Sequence, residues 1–207
     1  MFPSDPKKIQ ALIRRYERRF EKDENFRDGG GTRFLLGPLY LLKGDVPGAV
    51  RSYKWFEEKF SDSTDEPSAA HCWALTLKRT GNVEEAIFRL RRAHLANPYI
   101  IPHILGIPHG QPQAWRGSSW GQEDYAAESP IEFIDLWNQD EKTWMKSIWE
   151  SERFKSFVHL HTDLSAQLDR EELGPKRNSL VEHLYSLRNR SSARSHLTLV
   201  RPTHNLD

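Results

Sequence analysis

Hydrophobic residues recur every three or four positions through most of the chain, which is the spacing of amphipathic α-helices. In the first such stretch the apolar positions are Ile9, Leu12, Ile13, Tyr16 and Phe20. Ser4 and Pro6 suit the N-cap and first turn of a helix, and Gly29-Gly30-Gly31 interrupts the pattern. The spacing therefore predicts an N-terminal amphipathic helix within residues 1–28.

Residues 29–99 contain two stretches that align with each other. Superposing the turn at Gly44 on the turn at Gly81 also pairs Asp45 with Asn82, Ala49 with Ala86 and Tyr53 with Leu90. The resulting period of 37 residues falls within the roughly 20 to 50 residues typical of helical arrays. Each stretch is predicted to form a helical hairpin, because a hairpin buries its apolar face only against a neighbouring hairpin.

These residues resemble tetratricopeptide (TPR) repeats. The second unit matches the repeat pattern at Ala74, Gly81, Ala86, Leu90, Ala93 and Pro98, and the first at Gly37, Tyr40, Gly44, Ala49 and Tyr53. The first unit departs from it at Pro38, which is expected to kink or delay its helix, and at Phe56, which replaces a small residue. The resemblance implies an all-α fold in which TPR-like antiparallel hairpins stack into a short right-handed superhelix, with extra N- and C-terminal helices.

The rest of the chain is predicted from its Pro and Gly content and from returning helical periodicity. Residues 100–121 are rich in Pro, Gly and Trp and are expected to form an irregular loop. Residues 122–190 are expected to form helices, with a restart at Pro130 and a break near 150–153, and residues 191–207 form a basic tail with a short strand or no regular structure. The segment from Ala96 to Gly106, with residues 121–126 and Trp137, is similar to the end of the array in TPR-like proteins of the suppressor-of-tumorigenicity type.

Composition narrows the function classes. Thirty Lys and Arg balance 29 Asp and Glu, so the net charge of +1 favours no ligand by bulk electrostatics. No apolar run reaches the 18–20 residues that span a bilayer, and no apolar leader opens the chain. A single cysteine, Cys72, excludes an intrachain disulfide and favours a cytoplasmic protein.

Two short patterns have a chemical interpretation, and neither is predicted to be a catalytic or metal site. The string from His159 to Asp163 resembles a metal-binding H-x-H-x-D motif, but the surrounding residues keep helical phase, and positions i and i+2 of a helix do not face the same way. Arg190 and His196 resemble the Arg-x4–6-His motif of HEPN ribonucleases, in which Arg would hold a phosphate and His would transfer a proton. The sequence predicts no cofactor and no catalysis.

The leading interpretation is a non-catalytic interaction module, a scaffold or adaptor that binds a protein segment on the face of its first-helix (helix A) positions. Carried over from the repeat pattern, this face comprises Phe34, Leu41, His71, Leu75, Lys78 and Arg79, and the loop adds Trp115, Arg116 and Trp120. Being apolar at one end and basic at the other, it suits an amphipathic segment with an acidic flank. The alternatives are a nucleic-acid-associated protein, such as a HEPN-like ribonuclease, and a homo-oligomer. On the leading interpretation, neither a nucleic acid nor a membrane is the expected partner.

Overall fold

The computed structural model describes residues 2–22, 31–60, 65–108 and 119–188. All regular secondary structure in these ranges is helical, which confirms the all-α prediction. The chain divides into two compact bodies, and the described residues 2–146 belong to the first and 147–188 to the second. No helix in the described ranges is both long and apolar enough to cross a membrane.

The first body begins with α1 (Pro6–Lys22) and a 3-10 turn at Thr32–Phe34. Two pairs of helices follow: α2 (Leu36–Leu42) with α3 (Val46–Lys59), and α4 (Pro67–Arg79) with α5 (Val83–Ala96). After them come α6 (Ile100–Leu105), a 3-10 turn at Ser119–Gly121, α7 (Glu123–Ala127), α8 (Ile131–Ile134) and most of α9 (Gln139–Trp149).

Both predicted hairpin turns are present. Gly44 joins α2 to α3 and Gly81 joins α4 to α5, each with φ of 79°. This left-handed conformation strains any residue that carries a Cβ, which is why glycine stands at both turns. Asp45 caps α3 by accepting a hydrogen bond from the Gly48 amide at 2.7 Å.

Small residues let the four helices of the two hairpins approach closely. Ala49, Ala74 and Ala86 are fully buried, and α4 contacts α2 and α3 as well as α5. Position 37 requires glycine because of close packing and not because of its torsion angles. A Cβ at this position would lie 2.2 Å from Cζ of Tyr53. The Tyr53 ring is itself stacked on Trp73 with centroids 4.8 Å apart, so it has no room to move.

The structure corrects and refines the predicted element boundaries. Pro38 is the third residue of α2, which starts at Leu36 and is seven residues long, so the proline lies in the first turn, where its missing amide costs no hydrogen bond. Residues 100–121 are not wholly irregular, because Ile100–Leu105 form α6 with Pro102 in its first turn, where the missing amide costs no hydrogen bond. The predicted restart at Pro130 is confirmed by α8.

In the second body, α9 ends at Trp149, and α10 (Glu152–Arg170) and α11 (Pro175–Ser186) pack against each other. The break predicted near residues 150–153 is confirmed, because Ser151 caps α10 by accepting a hydrogen bond from the Phe154 amide. His159 and Asp163 lie inside the continuous helix α10, as their phase predicted. The proposed strand at 197–200 lies outside the described residues.

Candidate functional site

The face of α4 that was predicted to bind a partner is covered by the chain itself. His71 and Leu75 are both 0% exposed, so the expectation that Leu75 points to solvent is wrong. The spacing of apolar residues predicts one buried stripe on α4, formed by Trp73, Ala74 and Leu77, and this stripe accounts for only one side of the helix. A second apolar layer packs against the opposite side, and single-helix periodicity does not show it.

The second layer consists of residues 125–144, which follow α4 from its beginning to its end. Tyr125 and Ser129 contact its first turn, Trp137 its middle, and Glu141 and Trp144 its last turn. We name this stretch the cis segment. It occupies the face on which the sequence predicted a separate partner.

His71 and Trp137 form the centre of this contact. The Trp137 indole Nε1–H donates to Nδ1 of His71 at 3.2 Å, which makes His71 a neutral imidazole with its proton on Nε2. Burial, with a smaller contribution from the nearby His103, lowers the pKa of His71 to about 3. The imidazole therefore acts here as a fixed hydrogen-bond acceptor over the whole neutral pH range.

The C-terminal turn of α4 supplies the charged part of the contact. Arg79 donates to both carboxylate oxygens of Glu141, Nε to Oε1 at 2.8 Å and Nη2 to Oε2 at 3.1 Å, and it also donates to the Leu136 carbonyl. This bidentate geometry is the strong form of an Arg–carboxylate pair. Lys78 Nζ lies 5.1 Å from the ring centroid of Trp144, a cation–π contact.

At the N-terminal end of α4, Glu66 is the N-cap of the helix and also accepts a hydrogen bond from the cis segment. Its carboxylate accepts from the Ser68 and Ala69 amides, while the Tyr125 hydroxyl donates to its Oε1 at 2.9 Å. Burial and the Glu66 carboxylate raise the pKa of Tyr125, which keeps that hydroxyl a donor. Ser68 and Ser129 add a hydroxyl contact at 3.3 Å.

The predicted site residues of the first unit are also buried. Phe34 is 5% and Leu41 2% exposed, and the Phe34 ring packs edge-on against Trp120 with centroids 5.7 Å apart. Trp120 is half-buried, and its carbonyl accepts from Nδ2 of the buried Asn97 at 2.6 Å. Phe34 and Trp120 are thus brought together, but not as an open groove. Trp115 and Arg116 lie outside the described residues.

A buried arginine links the two hairpins. Arg89 of α5 lies with Cζ 3.3 Å from the centroid of Trp73 and forms ion pairs with Glu57 of α3 at 2.5 Å and with Glu85 at 3.3 Å. Desolvation lowers the pKa of Arg89, and Glu57 acts in the opposite direction. This packing role explains one cation of the basic run at residues 89–92.

The candidate chemical motifs gain no further support. Burial lowers the pKa of His161 to about 4, with Arg188 adding to the shift. Within the four described ranges, no group of three His, Cys, Asp or Glu side chains is placed to hold a metal ion. Arg190 and His196 lie beyond the last described residue, so the expectation that they form no ribonuclease site stays a prediction.

Sequence reasoning missed Trp137 and Glu141 as partners of α4, and Asn97 as an anchor. The sequence placed His71 on the binding face, but its ring is buried against Trp137. The buried Asn97 donates to the Trp120 and Gln122 carbonyls and accepts from the Tyr99 amide. The sequence signalled only a helix end at Asn97-Pro98, because long-range hydrogen bonds leave no local pattern.

Comparison of the chain with protein-family models, with curated proteins and with solved structures gave no match.

Proposed function

We propose that this chain is a non-catalytic, TPR-like interaction module, a scaffold or adaptor that binds an amphipathic protein segment with an acidic flank on its helix A face. The observation that carries the proposal is the mode in which α4 holds the cis segment. His71 accepts a hydrogen bond from an aromatic N–H, Arg79 pairs with a carboxylate, and Lys78 lies over an aromatic ring. Together these three side chains recognise a segment of that chemistry.

The hairpin architecture supports the same proposal. Two hairpins with matching turns and a common period are the units from which peptide-binding arrays are built. The buried titratable groups described above are engaged in packing and hydrogen bonds: His71 accepts from Trp137, and the Tyr53 hydroxyl donates to the Ala69 carbonyl. Such roles suit a binding module.

On this proposal the cis segment is the resident ligand and a partner segment competes with it. A tethered segment has an effective concentration of about a millimolar, so a partner must bind more tightly than the cis segment or bind when that segment is released. The partner is expected to present the same order of groups as Trp137, Glu141 and Trp144. That order places an acidic residue four positions after the first aromatic ring.

The test is the binding in trans of a fluorescent peptide that spans residues 130–149, measured by anisotropy. Wild-type chain should bind it weakly, and Trp137→Ala should bind it at least tenfold more tightly because the competing cis contact is weakened. Adding Arg79→Ala to Trp137→Ala should reverse most of that gain. The control is a peptide with alanine at positions 137 and 141.

Two results would refute the proposal. One is equal affinity of the peptide for wild type and for Trp137→Ala, with both variants folded by circular dichroism. The other is equal binding of the control peptide, which would show that Trp137 and Glu141 are not recognised on this face.

A further inference from the structure

The exposed face of α1 carries a dense stripe of positive charge. Its seven members are Lys7, Lys8, Arg14, Arg15, Arg18, Arg19 and Lys22, and each of them is exposed. With about 100° of rotation per residue, all seven lie within an arc of about 140°. From Lys7 to Lys22 the stripe is about 22 Å long at 1.5 Å per residue.

The opposite face of α1 fixes the stripe toward solvent. Ile9 is 2% and Ile13 0% exposed, and they form one core cluster with Leu36 and Leu39 of α2. The helix cannot rotate without exposing this apolar face. The cationic face is therefore a permanent feature of the first body.

The described acidic groups close to the stripe are engaged elsewhere or lie at its edge. Asp5 accepts from the Lys7 amide and so caps the helix, Glu17 is turned away to the hydroxyl of Tyr40, and the exposed Glu21 lies at one edge. Six of the seven cations, all except Arg19, form no ion pair within the described part of the chain. Net charge near zero for the whole chain hides this local excess of cations.

We propose that the cationic face of α1 binds the phosphate backbone of a nucleic acid, a function beyond the segment binding proposed above. The face contains Ala11 but no exposed aromatic or large aliphatic side chain between the cations. Stable protein interfaces need such anchors at their centre, and membrane-bound helices insert an apolar face, which in α1 is already buried. A phosphate backbone requires only a row of cations, and four of the seven here are arginines, whose forked guanidinium matches phosphate oxygens.

The geometry also sets the expected strength. A rigid helix about 22 Å long that lies along a backbone brings about four of its seven cations onto phosphates at once. Four neutralised phosphates give a slope of about −3.6 in log K against log salt, which is roughly a 150-fold loss of affinity between 50 and 200 mM salt. Because contacts to phosphates carry no sequence information, binding through this face should not depend on sequence.

The experiment measures anisotropy of labelled 20-base-pair DNA, 20-base-pair RNA and single-stranded RNA with the full chain between 50 and 200 mM salt. The three probes share the phosphate and distinguish duplex from single-strand geometry. The variant Arg14→Ala with Arg18→Ala removes two central cations, and should weaken binding at least tenfold at 50 mM salt and reduce the slope by about two. Both side chains are exposed, so the melting temperature should stay unchanged.

The matched control is Arg153→Ala with Lys155→Ala, which removes two exposed cations from α10 and should leave affinity and slope as in wild type. No binding to any of the three probes at 50 mM salt would overturn the proposal, and so would equal losses in both double variants. Equal or tighter binding to polyglutamate or to anionic vesicles would reassign the face to an acidic protein or a membrane. A salt-sensitive dimer, lost in the Arg14 and Arg18 variant without nucleic-acid binding, would reassign it to a second copy of the chain.

Discussion

The buried imidazole of His71 should make the first body sensitive to mild acid. Its pKa in the fold is about 3, whereas a histidine in an unfolded chain titrates at about 6.5. Between these two pKa values the unfolded chain binds a proton on His71 that the folded chain does not bind. The free energy of unfolding therefore falls as pH drops below 6.5. A proton on Nδ1 would also replace the acceptor of the Trp137 hydrogen bond with a second donor.

The magnitude follows from the two pKa values. At pH 4.5 the linkage costs about 3 kcal/mol, whereas at pH 7.5 it costs almost nothing. Because pH 4.5 lies well above the folded pKa, this figure depends almost wholly on the unfolded value. A loss of this size is a large part of the roughly 5–15 kcal/mol that stabilises an ordinary domain.

The assay is urea unfolding at several pH values from 7.5 to 4.5, monitored by tryptophan fluorescence, for wild type and for His71→Gln. The glutamine does not titrate, and its carbonyl can still accept from Trp137. Other titrating groups affect both proteins equally, so the difference between their stabilities should change by about 3 kcal/mol across this range. The control is the slope of the unfolding free energy against urea concentration, which should be equal in both proteins if the same body unfolds.

Parallel stability curves for the two proteins would refute the argument, because they would mean that His71 is protonated as easily in the fold as in the unfolded chain. A nuclear magnetic resonance titration of His71 with a midpoint near 6.5 would refute it directly.

Two further predictions concern packing in the first body. Gly37→Ala should cost about 1–3 kcal/mol or more, because the new Cβ would lie 2.2 Å from the immobile Tyr53 ring. Gly44→Ala should cost only about 1–2 kcal/mol, because φ is 79° there but the space around the new Cβ is open. A thermal melt in which Gly44→Ala is the less stable of the two would contradict this. The double variant Leu75→Glu with Arg79→Glu should abolish the cooperative thermal transition of the first body, because it buries a charge and sets a second carboxylate against Glu141. A melting temperature within a few degrees of wild type would show that this face is open after all.

The helices and their turns could be predicted from the sequence because the forces that form them act within a few residues. The positive φ that Gly44 and Gly81 supply and the restart at Pro130 both arise from local backbone sterics. The phase of the apolar residues on α1 likewise placed Ile9 and Ile13 inside and the arginines outside. These features were predicted correctly without any knowledge of neighbouring elements.

The surfaces available for binding were decided by tertiary structure. Periodicity identifies one buried face of a helix, but α4 is packed on two sides, and only the path of residues 125–144 shows that His71 and Leu75 lie inside. Trp137 and Glu141 are 66 and 62 residues from their partners His71 and Arg79. Contacts at such separations depend on where the whole chain turns, and no local pattern of residue types encodes that. The sequence by itself determined the helices, their two glycine turns and the cationic first helix; the tertiary structure determined which helix faces are open.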